Sequence, residues 1–369
     1  MLKLALISDY PPYKCGIANY TRYLAHSLNR SGLFDMCVIS EGGRQDDTFP
    51  VYDVYSRNGN YRHDIMKKIA EIKPDAVHIQ HALVLFPDTV EFLKMIKELS
   101  DLNIKVFVTL HTADTGRNRR IDWEKFYRTV LECGHIIVHN EMCLNSIRYY
   151  DLPTEKVHII PHGTAFLELP DRVQAREKLE LPADEFIFLI LGFIHLLKNH
   201  HTVISAFRTM RSQKKCRLLI AGMADQNKWY NHLYVTGCRL LSLFSKNIVW
   251  HSNFIKNDDL PYYLAASDVM LMPYWQNYPS ASGIFHLTIG AKLPVICSDS
   301  VKFSEVKHFI KENDIFIPTF SISKWKNSMS KFADRPDLLK KITEKLFDYA
   351  QETSWHNVAI QHADIFQEK

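Results

Sequence analysis

Four stretches of the 369-residue sequence carry residue types and spacings suited to gripping an anion and steadying charge around it. In "SDYPPYKCGIANYT" (8–21), Pro11, Pro12 and Gly16 make an irregular turn and a helix opens near Ile17. A glycine there lets backbone approach a ligand closely, and the free N–H groups of a first helical turn suit phosphate. Turn geometry alone would equally require it. "TLHTAD" (109–114) places His111 at the end of a strand, where it can touch a substrate or serve as a hydrogen-bonded structural residue. In "LGFIHLLKNHHTVISAF" (191–207), Gly192 ends a strand and Lys198 begins a helix. An ammonium at that place can neutralise a diphosphate, although the P-loop pattern is absent. The fourth stretch, "YPSASGIFHLTIGAKLPVI" (278–296), offers Ser280, Ser282 and Gly283 ahead of a short apolar helix. The hydroxyls can cap that helix, and with its N–H groups they can hold phosphate. The stretch contains no carboxylate, which suits an anion that a carboxylate would repel.

Other chemistries find less support. His195, His200 and His201 have no partnered cysteine or carboxylate at ligand spacing, so no metal site is expected. His135 and His139 fall on a strand and read as packing or edge residues. GxGxxG, GxSxG and the kinase set are absent, and no DxD occurs to grip a metal-bound diphosphate. The basic, aromatic run "RNRRIDWEKFYR" (117–128) reads as a solvated helix face; docking on anionic lipid or a lipid-phosphate acceptor is the other reading.

These residues need a scaffold that presents strand ends. Short, nearly continuous apolar runs occur at 2–8, 36–40, 75–81, 105–112, 135–140 and 156–163, and again at 186–193, 216–223, 247–255, 268–274, 293–299 and 314–318. Such runs fit parallel strands covered on both faces, with amphipathic segments such as 19–32 between them and Gly32 as a helix stop. The expectation is an α/β protein of two doubly wound Rossmann-like domains, 1–166 and 167–353, with a helix at 354–369 crossing back to the first. Ligands of such sheets bind at the carboxyl ends of strands, and with two domains the cleft between them is the default site.

Composition narrows the partners. Hydrophobic residues make up 46% and aromatics 12%, enough for packed cores and against disorder. The net charge of +4 is a mild excess that fits an anionic small ligand or loose contact with an anionic membrane surface; no nucleic-acid partner is expected. Seven cysteines, an odd count without CxxC, and no signal-peptide segment point to reduced thiols in the cytoplasm. The longest apolar run, 186–197, falls short of the ~20 residues a bilayer crossing needs, so the expected location is cytoplasmic or peripheral at the inner membrane face.

Taken in order, these motifs resemble the GT-B glycosyltransferases, in particular the retaining family 4 group that uses nucleotide-sugar donors. "YPPYKCGIANYTRYLAHSL", "VTLHT", "KVHIIPHGT" (156–164), "LGFIHLLKNHHTVISAF", "LLIAGM" (218–223), "VWHSNFIKNDDLPYYLAASDVMLMPY" (249–274) and "TSWHNVAIQHADIFQE" (353–368) follow the family's sequence of motifs over nearly the whole chain. The resemblance implies donor diphosphate and sugar contacts from Gly16, Ile17, Lys198, Ser280, Ser282, Gly283 and Ile284. His111 and Lys198 would act at the reacting centre, and Gly222, Phe254, Ile255 and Leu287 would face the nucleoside. The acceptor would meet Tyr10, Tyr13, Arg117 and Arg120. It implies sugar transfer from a UDP- or GDP-linked donor to a glycan or lipid-linked sugar in bacterial surface-polysaccharide synthesis, with no cofactor and no metal. Two departures stand out. Phe193 takes the family's arginine place, and the paired glutamates fall on Pro279 and Leu287, leaving ribose recognition without its acceptor. Those losses motivate an alternative, a degenerate non-catalytic GT-B subunit that binds a glycan or partner enzyme; a sugar-nucleotide epimerase is a weaker third.

Overall fold

The computed structural model describes residues 1–116, 121–225, 229–276, 278–310 and 315–368. It divides into two compact units. The first comprises Met1–Gly163, Tyr278–Gly283 and Thr353–Lys369, the second Thr164–Asn277 and Ile284–Glu352.

Unit 1 is built on a seven-stranded, wholly parallel sheet of β1 (Leu2–Ile7), β2 (Phe34–Ser40), β3 (Val51–Asp53), β4 (Ala76–His81), β5 (Lys105–Leu110), β6 (His135–Val138) and β7 (Val157–Ile159). Their spatial order is β3-β2-β1-β4-β5-β6-β7. Leu4–Ile7 and most of β4 and β5 are completely buried, the burial that continuous apolar runs require. Helices α1 (Gly16–Arg30), α2 (Tyr61–Ile72), α3 (Thr89–Asp101), α4 (Trp123–Cys133) and α5 (Glu141–Arg148) connect the strands. Their starts are set by side chains: Asp88 Oδ1 accepts the amides of Val90 and Glu91 at 3.0 and 3.1 Å, and Asn140 Oδ1 accepts that of Cys143 at 3.0 Å. Gly32, at φ 68°, lets the chain leave α1.

Unit 2 holds a six-stranded parallel sheet in the order β10-β9-β8-β11-β12-β13. Its strands are β8 (Phe186–Leu191), β9 (Cys216–Ala221), β10 (Ile248–His251), β11 (Val269–Met272), β12 (Val295–Ser298) and β13 (Phe316–Ile317). The helices are α6 (Arg172–Lys178), α7 (His200–Arg208), α8 (Trp229–Ser242), α9 (Leu260–Ala266), α10 (Gly283–Gly290), α11 (Ser304–Phe309), α12 (Ile322–Asp334) and α13 (Pro336–Glu352).

The last helix, α14 (Trp355–Gln367), belongs to unit 1. Trp355 stands edge-on to Tyr20 at 4.8 Å and stacks on Tyr23 at 5.8 Å, while Phe366 packs on Phe107 at 4.6 Å. A Cβ on Gly163 would lie 2.2 Å from the Trp355 ring, so that position admits only glycine. Among the described residues, no helix is long and apolar enough to cross a membrane.

Candidate active site

In unit 1 the pairing of β4 with β5 runs from Ala76↔Lys105 to His81↔Leu110, which sets His111 just past the carboxyl end of β5. Its amide donates to the His81 carbonyl at 3.1 Å. Its ring Nε2–H donates to Gln80 Oε1 at 2.9 Å, leaving Nδ1 as the lone-pair nitrogen. Gln80 is itself held by the amide Nε2, which lies 3.1 and 3.4 Å from the two ring nitrogens of His78 and so sits over that ring. His78 Nε2 pairs with Thr109 Oγ1 at 2.7 Å. Burial, then the neighbouring His139 and His81 rings, hold His111 well below its ordinary pKa, so it is neutral at pH 7.

Around His111 lies a cage of rings. Tyr20 is 4.8 Å away edge-on, His139 5.3 Å, and His162 stands 5.7 Å beyond His139. His139 Nδ1–H donates to the Ile160 carbonyl at 3.1 Å and His162 Nδ1–H to the Gly163 carbonyl at 2.8 Å, which orients both imidazoles. The loop carrying Ser280, Ser282 and Gly283 packs against this cage and belongs to unit 1, although the sequence suggests a place in the second domain. Ala113 N–H donates to the Pro279 carbonyl at 3.4 Å and Asn140 Nδ2 to the Ser280 carbonyl at 3.5 Å, both at the long end of the range. A Cβ on Gly283 would come within 3.3 Å of His162 Nε2, so the glycine lets the loop lie on the imidazole. His111 and the serine–glycine loop are thus brought to one edge of the sheet.

Gly16 opens α1 past the end of β1, and a Cβ built there meets nothing within 4 Å. The neighbouring Ile17 amide donates to Cys15 Sγ at 3.3 Å, and burial with Asp9 nearby pushes that thiol up to about 11, keeping it protonated. Tyr10 is buried with its hydroxyl on Asp46 Oδ2 at 2.7 Å. Tyr13 is 40% exposed, and its ring carries the Arg57 guanidinium at 4.7 Å. Arg57 in turn bonds Asp9 at 2.8 Å and Glu41. Arg117 and Arg120 lie outside the described residues.

In unit 2 the edge is organised by two glycines. Gly192 (φ 106°) follows β8 and Gly222 (φ 149°) follows β9, and a Cβ on Gly222 would fall 2.0 Å from the Gly192 carbonyl oxygen. Pairing resumes beyond them at Ile194↔Ala224. Lys198 closes a single 3₁₀ turn, Leu196–Lys198, two residues before α7 begins rather than inside that helix. Its Nζ would lie 3.0 Å from a Cβ on Gly192 and stands 5.0 Å from the Tyr274 ring. Burial pulls its pKa down to about 8, against the opposing pull of Asp225. It is still mostly an ammonium at pH 7. His195 beside it is depressed to about 4 by burial and then by Lys198, so it stays neutral at pH 7 next to the charged lysine. Phe254 leans on Phe193 at 6.1 Å; Ile255, Ile284 and Leu287 are half-buried. Among the described residues, no group of three or more His, Cys, Asp or Glu could hold a metal ion.

The residues that sequence reasoning passed over are Gln80, Tyr20, His162 and Trp355, with Asn140 as a loop anchor. "HIQH" (78–81) did carry a signal: polar residues at alternate positions of an otherwise apolar buried strand share one face. The others meet only through the fold.

Two Rossmann-like units, each a parallel sheet with its candidate site residues beyond the carboxyl edge, make the GT-B architecture. Family models cover most of the chain: Glycosyltransferase Family 4 matches residues 15–165 and Glycosyl transferases group 1 matches 171–347. The chain belongs to the GT-B glycosyltransferases. Solved structures share its fold. Sucrose-phosphate synthase from Thermosynechococcus elongatus aligns with a TM-score of 0.80 at 16% identity, covering 100% of this chain and 98% of its own. A glycosyltransferase from Rickettsia africae aligns at 0.76 and 16% identity (99% and 98%), and Anabaena HepE in complex with UDP at 0.76 and 12% (99% of each). No curated protein matches the sequence significantly.

Proposed function

We propose that this protein is a retaining glycosyltransferase that moves a sugar from a UDP- or GDP-linked donor to a glycan or lipid-linked sugar acceptor, in bacterial cell-surface polysaccharide synthesis. It works in the cytoplasm, with peripheral contact at the inner membrane face and without a metal. The observation that carries the reading is Lys198: a half-buried ammonium beside two positive-φ glycines at the carboxyl edge of a parallel sheet. Partial desolvation strengthens the attraction of that charge for a leaving diphosphate, where a metal would otherwise serve. Gly16 gives backbone access to the donor phosphates, and Ser280, Ser282 and Gly283 add hydroxyls and N–H groups. Neutral His111 accepts a hydrogen bond from a sugar hydroxyl through Nδ1 and stabilises charge near the reacting carbon. Phe254, Ile255 and Gly222 face the nucleoside. Leu287 cannot accept the ribose hydroxyl protons, so the phosphates supply most of the donor affinity.

Incubating the protein with a panel of UDP- and GDP-sugars in EDTA checks this. The expected result is slow release of the nucleoside diphosphate, with the freed sugar in the anomeric configuration of the donor. No release and no binding to any donor would overturn it. Phe193, Pro279 and Leu287 favour one other reading, a non-catalytic subunit; it requires that no nucleotide shift the melting temperature.

A further inference from the structure

Helix α8 has two apolar faces, and the core uses one of them. At 100° per residue, Asn231, Cys238 and Ser242 cluster on one side and are buried, with Tyr234 and Leu241 beside them. Trp229, Leu233 and Leu240 fall within about 40° of the opposite direction, and Leu243 follows in the turn after the helix. They are 75%, 62%, 61% and 66% exposed, and Phe244, just past the helix, is 91% exposed. A stripe this apolar on the outward side of a helix is a contact surface, since scattered single apolar residues would not align. At 1.5 Å per residue it runs for roughly 20 Å.

Its charge identifies the occupant. From Trp229 to Asn257 the sequence has no Asp or Glu, while Arg239, Lys246 and Lys256 supply positive charge. Helix α7, which packs beside α8, has no carboxylate either. His232, Arg239 and Lys246 are exposed, flanking the stripe. An aromatic-ended apolar stripe flanked by basic groups suits the headgroup and acyl boundary of an anionic bilayer, where the stripe is buried and the cations meet lipid phosphates. We infer that α8 and the 243–246 turn form the membrane-docking surface of this protein, lying flat on anionic lipid. This sharpens the peripheral contact in the proposed function but needs no sugar donor, so each can fail without the other.

The test is flotation of the full chain with vesicles of phosphatidylcholine containing 30% phosphatidylglycerol, against phosphatidylcholine alone. The expected result is at least tenfold more protein on the anionic vesicles, falling severalfold in 0.5 M NaCl. A Leu233→Ser/Leu240→Ser/Phe244→Ser variant should lose binding while keeping its circular dichroism and cooperative thermal melting. Arg239→Gln/Lys246→Gln, which leaves the apolar stripe intact, should weaken binding and flatten its salt dependence. Absence of vesicle binding, equal binding to both vesicles, or full binding by either variant would overturn the inference. So would a dimer in sedimentation that the triple variant turns into a monomer, which would assign the stripe to a second copy.

Discussion

The edge of unit 1 carries neutral groups: His111 held uncharged by burial, His139 and His162 pinned by backbone carbonyls, and a serine–glycine loop. The edge of unit 2 carries the Lys198 ammonium beside glycines that open the backbone. Both edges end parallel strands, yet one offers direction and the other charge. Hydrogen bonds from fixed rings discriminate among hydroxyl patterns, whereas a single ammonium attracts any phosphate. Under the proposed function, the fixed rings of unit 1 would read the sugar, and the Lys198 charge of unit 2 would add to the phosphate contacts of Gly16 and the serine–glycine loop.

Removing the cation should have the largest effect. Lys198→Met is expected to lower kcat/KM about 1,000-fold, roughly 4 kcal/mol, the scale of losing a preorganised charge partner of the leaving group. The same change should raise Tm at pH 7. The folded pKa of about 8 lies below the ordinary lysine value, so the charged lysine opposes folding at neutral pH and stability rises from about pH 8 to 10. In the unaltered protein, donor affinity should fall as pH climbs through 8. A pH-independent nucleotide affinity from 7 to 9.5 would break the contrast.

His111→Ala should cost about 100-fold in kcat, with no change in nucleoside diphosphate affinity if His111 reads the sugar. Because His111 is neutral across the physiological range, the kcat/KM profile of the unaltered protein should show no acidic limb near 6.5 from this residue. Titration of kcat/KM in buffers from pH 5 to 8 checks it.

Two glycines give the next comparison. Gly222→Ala drives a Cβ into the Gly192 carbonyl and should cost about 2–4 kcal/mol of stability by urea denaturation. Gly16→Val projects into open space, so its Tm should stay within about a degree while donor affinity falls. Matching losses of stability at both would erase the distinction between a structural glycine and one that leaves room for a ligand.

The smallest effect is expected from Gln80→Leu, about tenfold in kcat, because Gln80 acts through His111 by fixing which ring nitrogen carries the proton. Ring nitrogen chemical shifts should show the Nε2–H tautomer in the unaltered protein and a mixture in the variant.

The strands were legible because both faces of each sheet are covered, which leaves continuous apolar runs. β3 was not: three residues at the sheet edge, half exposed, present no such run. Lys198 and His111 could be placed because each follows a strand by a few residues. The membership of the serine–glycine loop could not, since it depends on contacts to Ala113 and Asn140, more than a hundred residues away in sequence. Gln80 was hidden for a different reason. A polar residue on a buried strand signals a partner without naming it.

Helix α14 gives the chain an order of assembly. Unit 1 needs Trp355 against Gly163 and Phe366 against Phe107, but about 190 residues, most of them in unit 2, lie between Gly163 and Trp355. At ~5–20 residues per second of synthesis, the pocket for α14 stands open for about 10–40 s. During that interval the nascent first unit presents an aromatic-lined groove, and its completion waits on the translation of its own final turn.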